Sequence, residues 1–130
     1  METGNLSEDY RPLILVAEDD DSNFKLIKAI IGKKCEILWA KNGEEMVNLF
    51  KENRGKTAAI LMDIKMPNLY GYGAFEKIRE FNKTIPIIAQ TSYSFPEEVE
   101  KIKQLGFNDF ISKPLDKERL YELVKKYFNK

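Results

Sequence analysis

The chain has 130 residues, 43% hydrophobic and 32% charged, a mixture that fits one globular domain able to bury a core. Lys and Arg number 21 and Asp and Glu also 21, and this zero net charge argues against nucleic acid as the main partner. Histidine is absent, which removes His-based triads, His–Cys nucleophiles and the common zinc sites; any metal must be held by oxygen, as Mg²⁺ or Ca²⁺ is.

Residues 1–11 are polar and aperiodic and read as a linker or tail that Pro12 ends, leaving 12–130 as one domain. Leu13–Ala17 (LILVA) reads as a buried strand, and Phe24, Ile27 and Ile31 then recur at helical spacing before Gly32. In the acidic run between them, Asp21 or Ser22 is expected to cap that helix. Ile37–Ala40 is a second strand, and Asn42 with Glu45 opens a helix whose buried face is Met46, Val47, Leu49 and Phe50. Ala58–Met62 is a third strand, followed by a helix marked by Ala74, Phe75, Ile78 and Phe81. Pro86–Gln90 is a fourth strand. Ser94 and Glu97 form a capping box for a helix with the stripe Val99, Ile102 and Leu105, stopped by Gly106. Asn108–Ser112 is a fifth strand, and Asp116 caps a last helix with Leu120, Leu123, Val124, Tyr127 and Phe128 inward. Cys35 and Trp39 read as packing residues near the second strand.

Five strand–helix alternations with continuous apolar strands predict an α/β fold, a doubly wound five-stranded parallel sheet with five helices. Such sheets form their sites outside the carboxyl ends of the strands. There stand Glu18 and Asp19 after the first strand, Asp63 after the third, Thr91 and Ser92 after the fourth, and Lys113 before Pro114 after the fifth. Clustered carboxylates repel unless a cation offsets them, and a hard divalent ion such as Mg²⁺ does so. Asp63 can then act as a nucleophile toward phosphorus, with Lys113 pairing a phosphoryl oxygen and Thr91 donating a hydrogen bond to another. The acidic first loop opposes direct phosphate binding, and the chain has neither GxGxxG nor GxxxxGK[ST]. A flavodoxin-type electron carrier is disfavoured on that ground.

Over residues 12–129 the segments LILVAEDDDSN, AAILMDIKMP, IIAQTS and ISKPL, in this order and spacing, resemble the response-regulator receiver family of two-component signalling. The resemblance implies the flavodoxin-like receiver architecture and these roles. Glu18 and Asp19 match the acidic pair that binds Mg²⁺, together with Asp63 and the backbone carbonyl of Lys65. Asp63 matches the phosphorylated aspartate and Lys113 the lysine before a cis Pro114. Thr91 matches the switch hydroxyl and Phe110 the aromatic switch residue, which together reshape the surface of the fourth helix, fifth strand and fifth helix. The Glu18–Asp19 pair and the linker-like start resemble receivers of hybrid histidine kinases. Asn68, Leu69 and Tyr70 depart from the family's usual loop, where Gly71 is kept. Lys65 and Tyr93 stand at positions that tune loss of the phosphoryl group, and their size implies a long-lived phosphoform.

The expected function is therefore a phosphoacceptor module of a phosphorelay, not an enzyme. Its partner is a histidine kinase or a histidine phosphotransfer domain, its cofactor Mg²⁺. A homodimer on phosphorylation stays open. No apolar stretch reaches the roughly 18 residues of a membrane span, the start lacks a signal-peptide pattern, and a lone Cys35 cannot form an internal disulfide, so a cytoplasmic location is expected. That location includes the cytoplasmic part of a membrane-bound hybrid kinase. Two rival readings are disfavoured: a haloacid-dehalogenase-type phosphohydrolase, which needs a second acid where Lys65 stands, and a docking look-alike, which would have lost one of the site's charged residues.

Overall fold

The computed structural model describes residues 11–65, 71–92 and 96–128. Among these residues, five strands and five helices alternate: β1 Leu13–Ala17, α1 Asp21–Ile31, β2 Glu36–Ala40, α2 Gly43–Glu52, β3 Thr57–Asp63, α3 Gly71–Phe81, β4 Ile87–Thr91, α4 Pro96–Leu105, β5 Asp109–Ser112 and α5 Lys117–Phe128. All strands are parallel and lie in the order β2-β1-β3-β4-β5. The expected doubly wound sheet is thus the observed one. The chain steps from β1 outward to β2 and then back across β1 to β3, so the direction of winding switches between β1 and β3.

Alternation along each strand divides the core in two. Leu13, Leu15, Ile60, Met62, Ile87 and Ala89 meet Met46, Phe50, Phe75, Ile78 and Ile102 on the α2–α3–α4 side. Ile14, Val16, Leu61, Ile88 and Ile111 meet Phe24, Ile27, Ile31, Leu120 and Val124 on the α1–α5 side. Both faces are covered, which is why the strands read as unbroken apolar runs.

The element ends depart from the expected ones where side chains intervene. Pro86 has no N–H to give the ladder, so β4 begins at Ile87, while the Pro86 carbonyl still accepts from Ile60 N at 2.9 Å. Asn108 precedes β5 and takes the Ile87 N–H on its side chain at 2.8 Å. The α1 cap is Asp20, neither Asp21 nor Ser22: its carboxylate accepts from Ser22 N and Asn23 N, at 2.9 and 3.4 Å. At α2, Asn42 accepts from Glu45 N at 2.9 Å, but Glu45 reaches back to Lys41 N instead, at 2.8 Å. Asp116 caps α5, its side chain accepting from Glu118 N at 3.3 Å.

The expected α4 stripe is only partly buried: Ile102 is 1% exposed and Leu105 37%. Gly106, at φ +103°, ends this helix in a left-handed conformation that suits glycine. Ser94, Tyr93, Asn68, Leu69, Tyr70 and the side chain of Phe128 lie outside the described residues.

Candidate functional site

The carboxyl ends of β1, β3, β4 and β5 converge beside the winding switch. Asp63 is the last residue of β3, one position inside the strand rather than after it. Its strand end is pinned by α3. A Cβ on Gly71 would stand 2.5 Å from the Ile64 Cα and 2.7 Å from the Asp63 carbonyl oxygen, so only glycine lets the helix start this close.

Asp63 is 1% exposed and its carboxylate is doubly engaged. Lys65 N donates to Oδ1 at 3.0 Å, and Lys113 Nζ donates to Oδ2 at 2.7 Å. Lys113 also stands 3.6 Å from Glu18 Oε2. The Lys113–Pro114 peptide bond is cis, and Lys113 N donates to the Thr91 carbonyl at 2.8 Å. Burial alone would lower the pKa of Lys113, but the Asp63 hydrogen bond and the charges of Asp63, Glu18 and Asp19 outweigh it and raise the pKa. The ammonium therefore stays charged.

Glu18 is fully buried, and burial pushes its carboxyl up to about 7. The hydrogen bond from Asn23 opposes that rise, the charge of Asp63 adds to it, and Lys113 and the Asp20 N–H again oppose it. Glu18, Asp19 and Asp63 each bring one carboxylate oxygen within 4.8 Å of the others. With all three carboxylates ionised, as a bound cation would hold them, they leave two net negative charges against the Lys113 ammonium, and the donors are all hard oxygens. Both properties suit a divalent cation of the Mg²⁺ type.

Thr91 ends β4, fully buried. Phe110 is not among the groups that meet at the acids: it is half-buried against the α2–α3–α4 core, with Ala89 as its register partner. Lys65 is exposed, with its N–H on Asp63.

Sequence reasoning missed two members of the site. Asn23 Nδ2 donates to Glu18 Oε1 at 2.6 Å and to Gln90 Oε1 at 2.7 Å, and Gln90 Nε2 donates to Glu18 Oε1 at 3.0 Å. The available signal was Gln90 itself, an amide in a strand otherwise apolar up to Thr91. Trp39, expected only to pack, stacks on Phe24 at 4.0 Å between ring centroids and donates its indole N–H to the Glu18 carbonyl at 2.7 Å.

The sequence profile of the response regulator receiver domain matches residues 14–125. The chain belongs to the response regulator receiver domain family. Receiver domains are modules of two-component signalling rather than enzymes in the ordinary sense. This receiver is 38% identical over 119 residues to hybrid signal transduction histidine kinase I of Dictyostelium discoideum, aligning 85% of the chain but only 7% of that kinase. It is 32% identical to the polar-differentiation response regulator DivK of Brucella anthropi, over 88% of the chain and 94% of DivK. Among solved structures, it resembles the receiver domain of sensor histidine kinase PA1611 from Pseudomonas aeruginosa, which has a magnesium ion coordinated in its active site cleft. That likeness has a TM-score of 0.81 and 28% identity, and covers 93% of this chain and all of that one. No helix among the described residues is long and apolar enough to cross a membrane.

Proposed function

We propose that this receiver accepts a phosphoryl group on Asp63 from a histidine of a kinase or histidine phosphotransfer domain, in a Mg²⁺-dependent reaction. The observation that carries this reading is the meeting of Glu18, Asp19 and Asp63 with Lys113, whose Nζ lies 2.7 Å from Asp63 Oδ2. The donor histidine belongs to another protein or domain, because this chain has none.

The carboxylates of Glu18, Asp19 and Asp63 and the carbonyl of Lys65 would hold Mg²⁺, which would supply positive charge to the phosphoryl oxygens. Asp63 provides the nucleophilic oxygen. A P–O bond forms as the P–N bond to the donor imidazole breaks, and the imidazole, already protonated on its other nitrogen, takes the P–N electron pair and departs as the neutral ring. The remaining work is positioning and charge neutralisation. Lys65 N and Lys113 Nζ orient the carboxylate beforehand, and Lys113 then pairs a phosphoryl oxygen. The Thr91 hydroxyl donates to another phosphoryl oxygen.

Thr91 follows Ala89 on the α4 side of the sheet, the side against which Phe110 packs. Movement of Thr91 toward the phosphoryl group opens space for Phe110 to turn inward and reshapes the α4–β5–α5 surface. This is a two-state equilibrium biased by one local charge event.

Intact-mass spectrometry after incubation with acetyl phosphate tests the reading. The expected result is one added phosphoryl group that needs both Mg²⁺ and Asp63, absent in Asp63→Asn. No adduct, under conditions that label a control receiver, would leave this chain a docking module only.

A further inference from the structure

We propose that Asn23 and Gln90 clamp Glu18 so that one carboxylate oxygen is fixed and the other is presented to the metal position, which makes both amides positioning residues for Mg²⁺ binding. The inference rests on the reading of Glu18 as a metal ligand.

The two oxygens of Glu18 have different surroundings. Oε1 accepts from Asn23 Nδ2 at 2.6 Å and from Gln90 Nε2 at 3.0 Å. Oε2 accepts from Asp20 N at 3.2 Å and faces Lys113 Nζ at 3.6 Å. A second Asn23 proton goes to Gln90 Oε1 at 2.7 Å, closing a ring of three side chains. With Oε1 occupied by two amides, Oε2 is the oxygen on the Lys113 side.

The chemistry of the clamp fits this division. Glutamate has one more side-chain rotor than aspartate to be ordered, and two amide donors on Oε1 hold it before a ligand arrives. Both clamp residues are neutral. They satisfy a buried carboxylate without cancelling its charge, which a lysine or arginine in the same place would do at the expense of the cation. Gln90 is fully buried, in a strand whose preceding residues Ile87, Ile88 and Ala89 are apolar. An amide there is costly to bury unless its groups are paired, and Asn23 and Glu18 pair them.

The ring joins the end of β1, the first turn of α1 and the end of β4. β3 lies between β1 and β4 in the sheet, and the register partner of Gln90 is Asp63. The clamp thus spans the strand that carries the phosphoacceptor, and it ties a metal ligand to the residue preceding Thr91.

Calorimetric titration with Mg²⁺, without a phosphodonor, tests the proposal on the full chain. Gln90→Met and Asn23→Ala are each expected to weaken Mg²⁺ binding by about tenfold. The double variant should be little worse than either single one, because either change opens the same ring. Ile88→Val, in the core on the same face and with no polar group in the ring, should lower stability and leave the Mg²⁺ affinity unchanged. Asn23 is only half-buried, so Asn23→Ala decides the matter if Gln90→Met does not fold. Folded clamp variants that bind Mg²⁺ as the wild type does would overturn the clamp while leaving Glu18 a ligand. A wild type that binds no Mg²⁺, or binding that survives Glu18→Gln, would overturn the ligand reading and the clamp together.

Discussion

The two helices α1 and α4, which lie on opposite faces of the sheet, are held very differently. The apolar stripe of α1, Phe24, Ile27 and Ile31, is entirely buried, Asp20 caps the helix, and Asn23 ties its first turn to Glu18 and Gln90. In α4 only Ile102 of the stripe is buried, with Val99 half-buried and Leu105 37% exposed. A well-packed helix resists displacement, whereas one with few buried apolar groups opens or shifts at low free energy. The contrast matches the proposed division of labour. The acids beside α1 must keep their geometry for a cation, and the face beside α4 must change shape when Asp63 is modified.

The largest expected effect is on thiol reactivity. Cys35 is 1% exposed in the α1–α5 layer, and burial pushes its thiol up to about 12. In the native protein it should react with an aromatic disulfide reagent at least about a thousandfold more slowly than in the unfolded chain, because access requires the layer to open. Leu105→Cys, in a Cys35→Ala background, should react within about tenfold of the unfolded rate. Equal rates at the two positions would erase the contrast.

Core truncation comes next. Ile27→Ala should cost about 2–5 kcal/mol in urea unfolding, and Leu105→Ala no more than about 0.5 kcal/mol. Comparable losses would show that α4 is packed as firmly as α1. The smallest informative change is Asp20→Ala, which removes the acceptor for Ser22 N and Asn23 N and should cost about 1 kcal/mol. An unchanged urea midpoint would take the cap out of the account of α1.

The sheet and its order of elements were legible because both faces are covered, so each strand is an apolar run and each helix has a periodic stripe. The convergence of Glu18, Asp19, Asp63 and Lys113 followed from the same pattern, since parallel strands put their carboxyl ends at one edge. What was not legible depended on side-chain direction. In EDDD, composition alone does not reveal that Glu18 turns into the core, Asp20 turns back to cap α1 and Asp21 turns out to Lys41, 3.6 Å away. Gln90 looked like the tail of an apolar run because its partner Asn23 is 67 residues away. The α4 stripe looked complete, yet Leu105 stays exposed because burial depends on what faces a helix as well as on its period.

Asp63 itself is expected to carry the phosphoryl group, and chemical trapping locates it on the chain. The protein is incubated with acetyl phosphate and Mg²⁺, reduced with borohydride, digested and mapped by mass spectrometry. An acyl phosphate on Asp63 is reduced to an alcohol, so homoserine is expected at position 63 and no reduced residue elsewhere. Reduction at Glu18 or Asp19, or an adduct that resists borohydride, would contradict it.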